Sequence, residues 1–192
     1  MHSLTHYRTG TVLMWTATVE SSPDLRPLWK QLSSTISATI GSGWMKDHDV
    51  IGYARAVEPE LGAGGWHPHA HSLIVFRNEL TDAEVDAFSR ALVDRYLAKA
   101  DRTGTHASAR GQDVRRAENV SVAVDYMTKG GVRLYGNDTA SRLWAAVAAG
   151  DGDALVKVHE LEQGGHRRRR WTTTGVCAPV MDFDEMLAAG KI

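Results

Sequence analysis

Gly65-Trp66-His67-Pro68-His69-Ala70-His71-Ser72-Leu73-Ile74-Val75-Phe76 is the stretch whose reading decides the fold. Its second half is a short apolar run, the pattern of a buried central strand. Its first half sets an imidazole at every second residue, and side chains two apart leave a pleated strand on the same face. His67, His69 and His71 are therefore expected to share one face. Neutral imidazole is the commonest metal ligand, so three together form a candidate chelating surface. The plainer reading of the same spacing is a set of core histidines held by ordinary hydrogen bonds.

Working outward, Val50 to Glu58 reads as the preceding strand, and Gly62-Ala63-Gly64-Gly65 supplies turn chemistry that sends the chain back through the histidines. The two strands are expected to form a hairpin. Its geometry would bring Glu58 or Glu60, near the turn, beside His69 and His71, so that a carboxylate joins the imidazoles.

The chain of 192 residues, 43% of them hydrophobic, fits one domain with its own core. The lone Cys177 cannot close an internal disulfide, and the nine histidines have no cysteine companions for a structural zinc site. No apolar run reaches the roughly 18 residues of a membrane-spanning helix, and Met1 to Arg8 has no signal-peptide core. A cytoplasmic protein with no membrane association is expected. The net charge of -1 excludes a protein basic all over, yet Arg167, Arg168, Arg169 and Arg170 follow one another directly. Contact with a polyanion would be local to that run.

Val12 to Val19 has the composition of a first strand, with Thr16 and Thr18 on one face. Leu25, Leu28, Leu32, Ile36 and Ile40 recur at helical spacing between Ser22-Pro23-Asp24 and Gly41, which predicts an amphipathic helix. Thr81 and Glu84 form a capping box before a helix over 82–99, carried by Val85, Phe88, Leu92 and Tyr96. Residues 107–114 read as an edge or closing strand. Asn119 is placed to cap a helix over 120–129 that ends at Gly130-Gly131, on which Tyr126 and Lys129 are neighbours. Two more helices are expected over 140–149 and 154–163. The intervening Gly150-Asp151-Gly152-Asp153 lacks the oxygen ladder of a calcium loop. His166 to Gly175 reads either as a solvated tail or as a contact to DNA backbone, with Trp171 able to stack on an unpaired base. The expected domain covers residues 1–176, with 177–192 as a tail.

Trp66-His67-Pro68-His69-Ala70-His71 resembles the HUH motif of rolling-circle replication initiators, in the form found in plasmid Rep proteins of the actinobacterial type. Tyr126-Met127-Thr128-Lys129 resembles the nucleophile motif of that family, Leu13 to Val19 its first motif, and Arg55 to Glu58 its acidic strand segment. The four follow in family order across residues 11–175. The resemblance implies an HUH endonuclease fold, ferredoxin- or RRM-like, that nicks single-stranded DNA at an origin or hairpin. It implies Tyr126 as nucleophile, Lys129 as its partner, and Mn2+ or Mg2+ on His69, His71 and Glu58, with His67 a further candidate ligand. A bacterial, plasmid-encoded protein that works with a host helicase belongs to the same picture. Two features depart from the family. No cysteine-rich segment precedes the first motif, which suggests a minimal or truncated nuclease domain, and Val122 stands where some members carry a water-activating glutamate.

The chemistry is coherent on its own terms. A divalent ion neutralises non-bridging phosphate oxygens and assists the leaving 3'-oxygen as a Lewis acid. A tyrosine with a pKa of about 10 is about 0.1% ionised at neutral pH, and the ion and Lys129 favour its charged form. A transposase or relaxase would use the same chemistry. A histidine-triad nucleotide hydrolase would use the same His-x-His-x-His spacing without metal, but Pro68, Ala70 and Ser72 are not the bulky apolar residues it calls for. A non-catalytic single-strand-binding module is the remaining rival. The expected architecture is α+β, a mainly antiparallel sheet of about five strands covered by helices, with the metal site on the sheet and Tyr126 on a helix facing it.

Overall fold

A computed structural model describes residues 10–118, 139–166 and 171–177. The fold is α+β, built on a five-stranded antiparallel sheet. Its strands are β1 (Val12–Thr18), β2 (Val50–Glu58), β5 (His69–Phe76), β6 (Asp113–Arg116) and β7 (Trp171–Gly175), in the order β6-β1-β5-β2-β7. The histidine strand is thus central, with β1 on one side and β2 on the other. A two-stranded ribbon, β3 (Leu61–Gly62) with β4 (Gly65–Trp66), tips the hairpin between β2 and β5.

The period-two alternation of the strands gives the sheet two unlike faces. Leu13, Trp15 and Ala17 of β1, Tyr53 and Val57 of β2, and Ala70, Ile74 and Phe76 of β5 point to the larger core. Helices α1 (Leu25–Thr39) and α3 (Asp82–Arg102) cover that face with Leu25, Leu28, Trp29, Leu32 and Ile36 from one and Phe88, Leu92 and Tyr96 from the other. Helices α4 (Thr139–Ala148) and α5 (Gly152–Gly165) contribute Leu143, Ala154, Val158 and Leu161 to the same core, and α1 packs against both α3 and α5. Val12, Met14, Ala54, Ala56, Leu73, Val75 and Cys177 form a smaller cluster on the opposite face. Burial there pushes the Cys177 thiol up to about 11, which keeps it a protonated packing group.

Local signals explain most boundaries. The Thr81 and Glu84 capping box forms as expected, with the Thr81 hydroxyl accepting from the Glu84 amide and the Glu84 carboxylate accepting from the Thr81 amide. Asp151 caps α5 by accepting from the amides of Asp153 and Ala154. A short helix, α2 (Ser42–Asp47), starts from Gly41, where the sequence reading has only the end of α1.

Three expectations are corrected. The strand expected over 107–114 lies at Asp113–Arg116, because Ala109–Gly111 closes into a 3-10 turn held by Thr18 and Gln112. The segment from Trp171 onward is edge strand β7 on β2, and the β-branched run Thr172 to Thr174 suits a pleated edge. His67 is not on the histidine strand. Pro68 has no amide hydrogen to give a ladder, and the chain between β4 and β5 is irregular there. The helix expected over 120–129, with Tyr126 and Lys129, lies outside the described residues, as do Arg167 to Arg170.

Candidate metal and nucleic-acid site

The sheet register assembles the site before any side chain is considered. On β5, His71 stands opposite Thr16 of β1 and Ala56 of β2, and His69 stands opposite Thr18 and Glu58. Thr16 continues the first row to Asp113 of β6, and Ala56 continues it to Trp171 of β7. The row Asp113, Thr16, His71, Ala56, Trp171 therefore crosses all five strands on the face opposite α1 and α3. Among the described residues the buried apolar side chains of α1, α3, α4 and α5 lie on the other face.

The turn end of the hairpin is braced so that the histidines are held in place. Trp66 is fully buried, and its indole Nε1 donates to Glu160 Oε2 of α5 at 2.6 Å. Lys157 Nζ donates to the same oxygen at 2.8 Å. Burial acts against the Glu160 charge, but the Lys157 and Trp66 donors outweigh it and hold the carboxyl below its ordinary value. The backbone of Trp66 pairs with Ser22 in both directions, and Gly65 has φ +97° with Ser22 O only 2.6 Å from where a Cβ would sit. Only glycine fits that approach.

Two carboxylates meet two imidazoles. His71 Nε2 donates to Glu58 Oε2 at 3.3 Å, and His69 Nε2 lies 3.0 Å from Glu60 Oε2. The His71 bond holds the Glu58 carboxyl below its ordinary value, against the opposing effect of partial burial. Burial, and after it the neighbouring His71, hold the His69 imidazole below its ordinary value. Glu60 pulls the other way, but its side chain is 53% exposed and its field is screened by water. His69 is accordingly neutral near pH 7, the form in which a ring nitrogen has a lone pair to give.

Thr16 Oγ1 sits 3.1 Å from His71 Nδ1. A hydroxyl both donates and accepts, so it holds the ring in either tautomer. With Nε2–H toward Glu58, Nδ1 accepts from Thr16; with a cation on Nε2, Nδ1–H donates to it. Such a partner fixes ring orientation in metal sites. The alternating threonines of the first strand were the sequence signal for this residue.

The donor set suits a hard or borderline divalent ion, since it combines neutral imidazole with carboxylate oxygen. The 3.3 Å between His71 Nε2 and Glu58 Oε2 is close to the about 3.0 Å that separates adjacent ligands at about 2.1 Å from an octahedral ion. Among the described residues, however, no three His, Cys, Asp or Glu side chains are gathered around one point. Glu58 and His71 are set as a pair, whereas His69 is turned to Glu60. His67 is tied elsewhere, its Nδ1 3.2 Å from Ser21 Oγ, although its ring is 5.2 Å from that of His69. The set of neutral imidazole and carboxylate fits a divalent ion in its chemistry.

Comparison with protein-family models, with curated proteins and with solved structures returns no match.

Proposed function

We propose that the chain is a metal-dependent, site-specific endonuclease and strand transferase acting on single-stranded DNA. In this reading it nicks an origin and forms a 5'-phosphotyrosine intermediate that starts rolling-circle plasmid replication. One observation carries the reading. The sheet register brings Glu58, His69 and His71 to one face, with the Nε2 atom of each histidine on a carboxylate oxygen and Thr16 behind one ring. A histidine that only packs has no need of a carboxylate on Nε2 and a hydroxyl on Nδ1, the pair that His71 has in Glu58 and Thr16.

Glu58, His69 and His71 would hold Mn2+ or Mg2+, with Glu60 adjacent. When bound, such an ion supplies charge neutralisation on the phosphate and help for the leaving oxygen. Tyr126 is the proposed nucleophile. Its oxygen forms a bond to phosphorus while the P–O3' bond breaks, the phenolic proton goes to solvent, and the leaving 3'-oxygen takes up a proton. Lys129 favours the phenolate by charge. The phosphotyrosine conserves the energy of the broken linkage for rejoining. Trp171 supports the substrate assignment, because it lies on the histidine face one strand beyond Ala56, where an indole can stack on an unpaired base. Arg167 to Arg170 precede it directly and are proposed to hold the backbone.

The test is incubation with end-labelled single-stranded origin-like DNA and Mn2+, followed by denaturing electrophoresis. A covalent adduct is expected that peptide mapping places on Tyr126 and that Tyr126→Phe abolishes. An undiminished adduct in Tyr126→Phe would refute the nucleophile, and metal-independent cleavage would refute the site.

A further inference from the structure

Beside the histidines lies a cleft of about 470 Å3, lined in part by Thr18, Glu20, His67, Arg110 and Gln112. That volume falls in the range of small-ligand sites. It adjoins the proposed metal site, because Thr18 is the register partner of His69 and the His67 ring touches that of His69.

The walls are braced from several directions. Thr18 Oγ1 donates to Gly111 O at 2.7 Å, Gln112 Nε2 donates to Thr18 O at 3.1 Å, and the Glu20 amide donates to His106 O at 2.8 Å. The Tyr96 hydroxyl of α3 donates to Thr18 O from below at 3.0 Å. A Cβ at Gly111 would stand 2.4 Å from the Thr18 hydroxyl, so a side chain there would have to displace that hydroxyl from its bond to Gly111 O.

Arg110 and Glu20 line the same cleft with opposite charges, and among the described residues neither makes an ion pair or a side-chain hydrogen bond. The other acid at the rim, Asp113, already has Arg115 Nε at 3.6 Å. A cleft with one cation alone would suit phosphate. An exposed cation and an exposed anion lining one cleft suit a ligand with both kinds of edge. Guanine is the base that offers a carboxylate two adjacent N–H donors, at N1 and N2, and a guanidinium two adjacent acceptors, at O6 and N7.

We propose that this cleft is a base-reading pocket that takes an unpaired guanine next to the scissile phosphate, with Glu20 on its N1/N2 edge and Arg110 on its O6/N7 edge. The inference rests on the single-strand reading above and adds which nucleotide the site selects. A second cleft shares Glu20 and Ser108 and continues toward Ala100 and Asp101 at the end of α3, which gives the next nucleotide a place to lie.

The experiment measures equilibrium binding of the full chain, without metal, to fluorescent 12-nucleotide thymine strands carrying one central guanine, hypoxanthine, 7-deazaguanine or thymine. The guanine strand is expected to bind about ten-fold or more tightly than the all-thymine strand, the scale of a bidentate base contact. In Glu20→Ala, guanine and hypoxanthine should bind alike, since the acceptor for the N2 amino group, which alone distinguishes them, is gone. In Arg110→Ala, guanine and 7-deazaguanine should bind alike. Arg90→Ala, on the outer side of α3, should keep the wild-type preference. Equal affinity for all four strands, or a guanine preference unchanged in both variants, overturns the pocket and leaves single-strand binding standing. No binding to any strand overturns both readings together.

Discussion

His71 and Glu58 meet diagonally across the β2–β5 ladder: the residue directly opposite His71 is Ala56, while Glu58 stands opposite His69. The small side chain of Ala56 leaves room for the carboxylate to lean across. Glu58 thereby joins the imidazole that Thr16 already orients, and Glu60 is left to the exposed side of His69. Glu58→Gln is therefore expected to weaken Mn2+ binding at least ten-fold more than Glu60→Gln, as read by calorimetry. A larger loss at Glu60 would move the site toward the hairpin tip. His71→Ala should remove binding altogether while leaving the far-ultraviolet circular dichroism unchanged.

Thr16→Val keeps the shape of the side chain and the strand propensity but deletes the hydroxyl behind His71. Removal of such orienting partners typically costs about 10- to 100-fold in metal affinity. The same titration should show that loss with little change in the urea midpoint. Thr18→Val is the useful contrast, because its hydroxyl serves Gly111 and not a histidine.

The depressed His69 sets a pH dependence with a defined sign. In the unfolded chain the imidazole takes up a proton as pH falls through about 6.5. The folded protein resists until a lower pH, because burial and His71 disfavour the charge. The unfolded state thus binds more protons in that window, and stability falls as pH drops below about 6.5. Urea melts of metal-free protein should show this slope, and it should be shallower in His69→Gln. An identical slope in the two proteins would mean that His69 titrates normally.

Trp66→Phe preserves most of the buried ring area but removes the donor to Glu160. A hydrogen bond to a charged acceptor is worth about 1.5 to 3 kcal/mol, and a loss of that size is expected in urea. Glu160→Gln keeps an acceptor oxygen for the indole and should cost less. If both variants melt like the wild type, α5 does not brace the hairpin.

The strand bearing the histidines, the strand before it and the capped helix were legible because each has a strong local signal: alternation, a glycine turn, and Thr81 with Glu84. The pairing of a carboxylate with an imidazole was legible in kind but not in detail. Two acids near a turn could each reach two histidines, and only the side-chain contacts, which run against the register, assign Glu58 to His71 and Glu60 to His69. His67 misled because period two was extended through Pro68, where the ladder ends. The β7 strand was hidden behind the arginine run, which draws attention to charge and away from the three β-branched threonines that follow. Nothing local in Ser108 to Gln112 betrays the cleft. It exists because a turn 93 residues from Thr18 in sequence is folded against it.

The central position of β5 has a dynamic consequence. Its backbone is hydrogen-bonded to β1 on one side and β2 on the other, so fraying of the outer strands β6 and β7 does not release it. Amide protons there should exchange with deuterium only through whole-molecule opening, the slowest class. If His69 and His71 bind metal as proposed, its entry and exit would occur on a fixed backbone, by rotation about side-chain bonds alone.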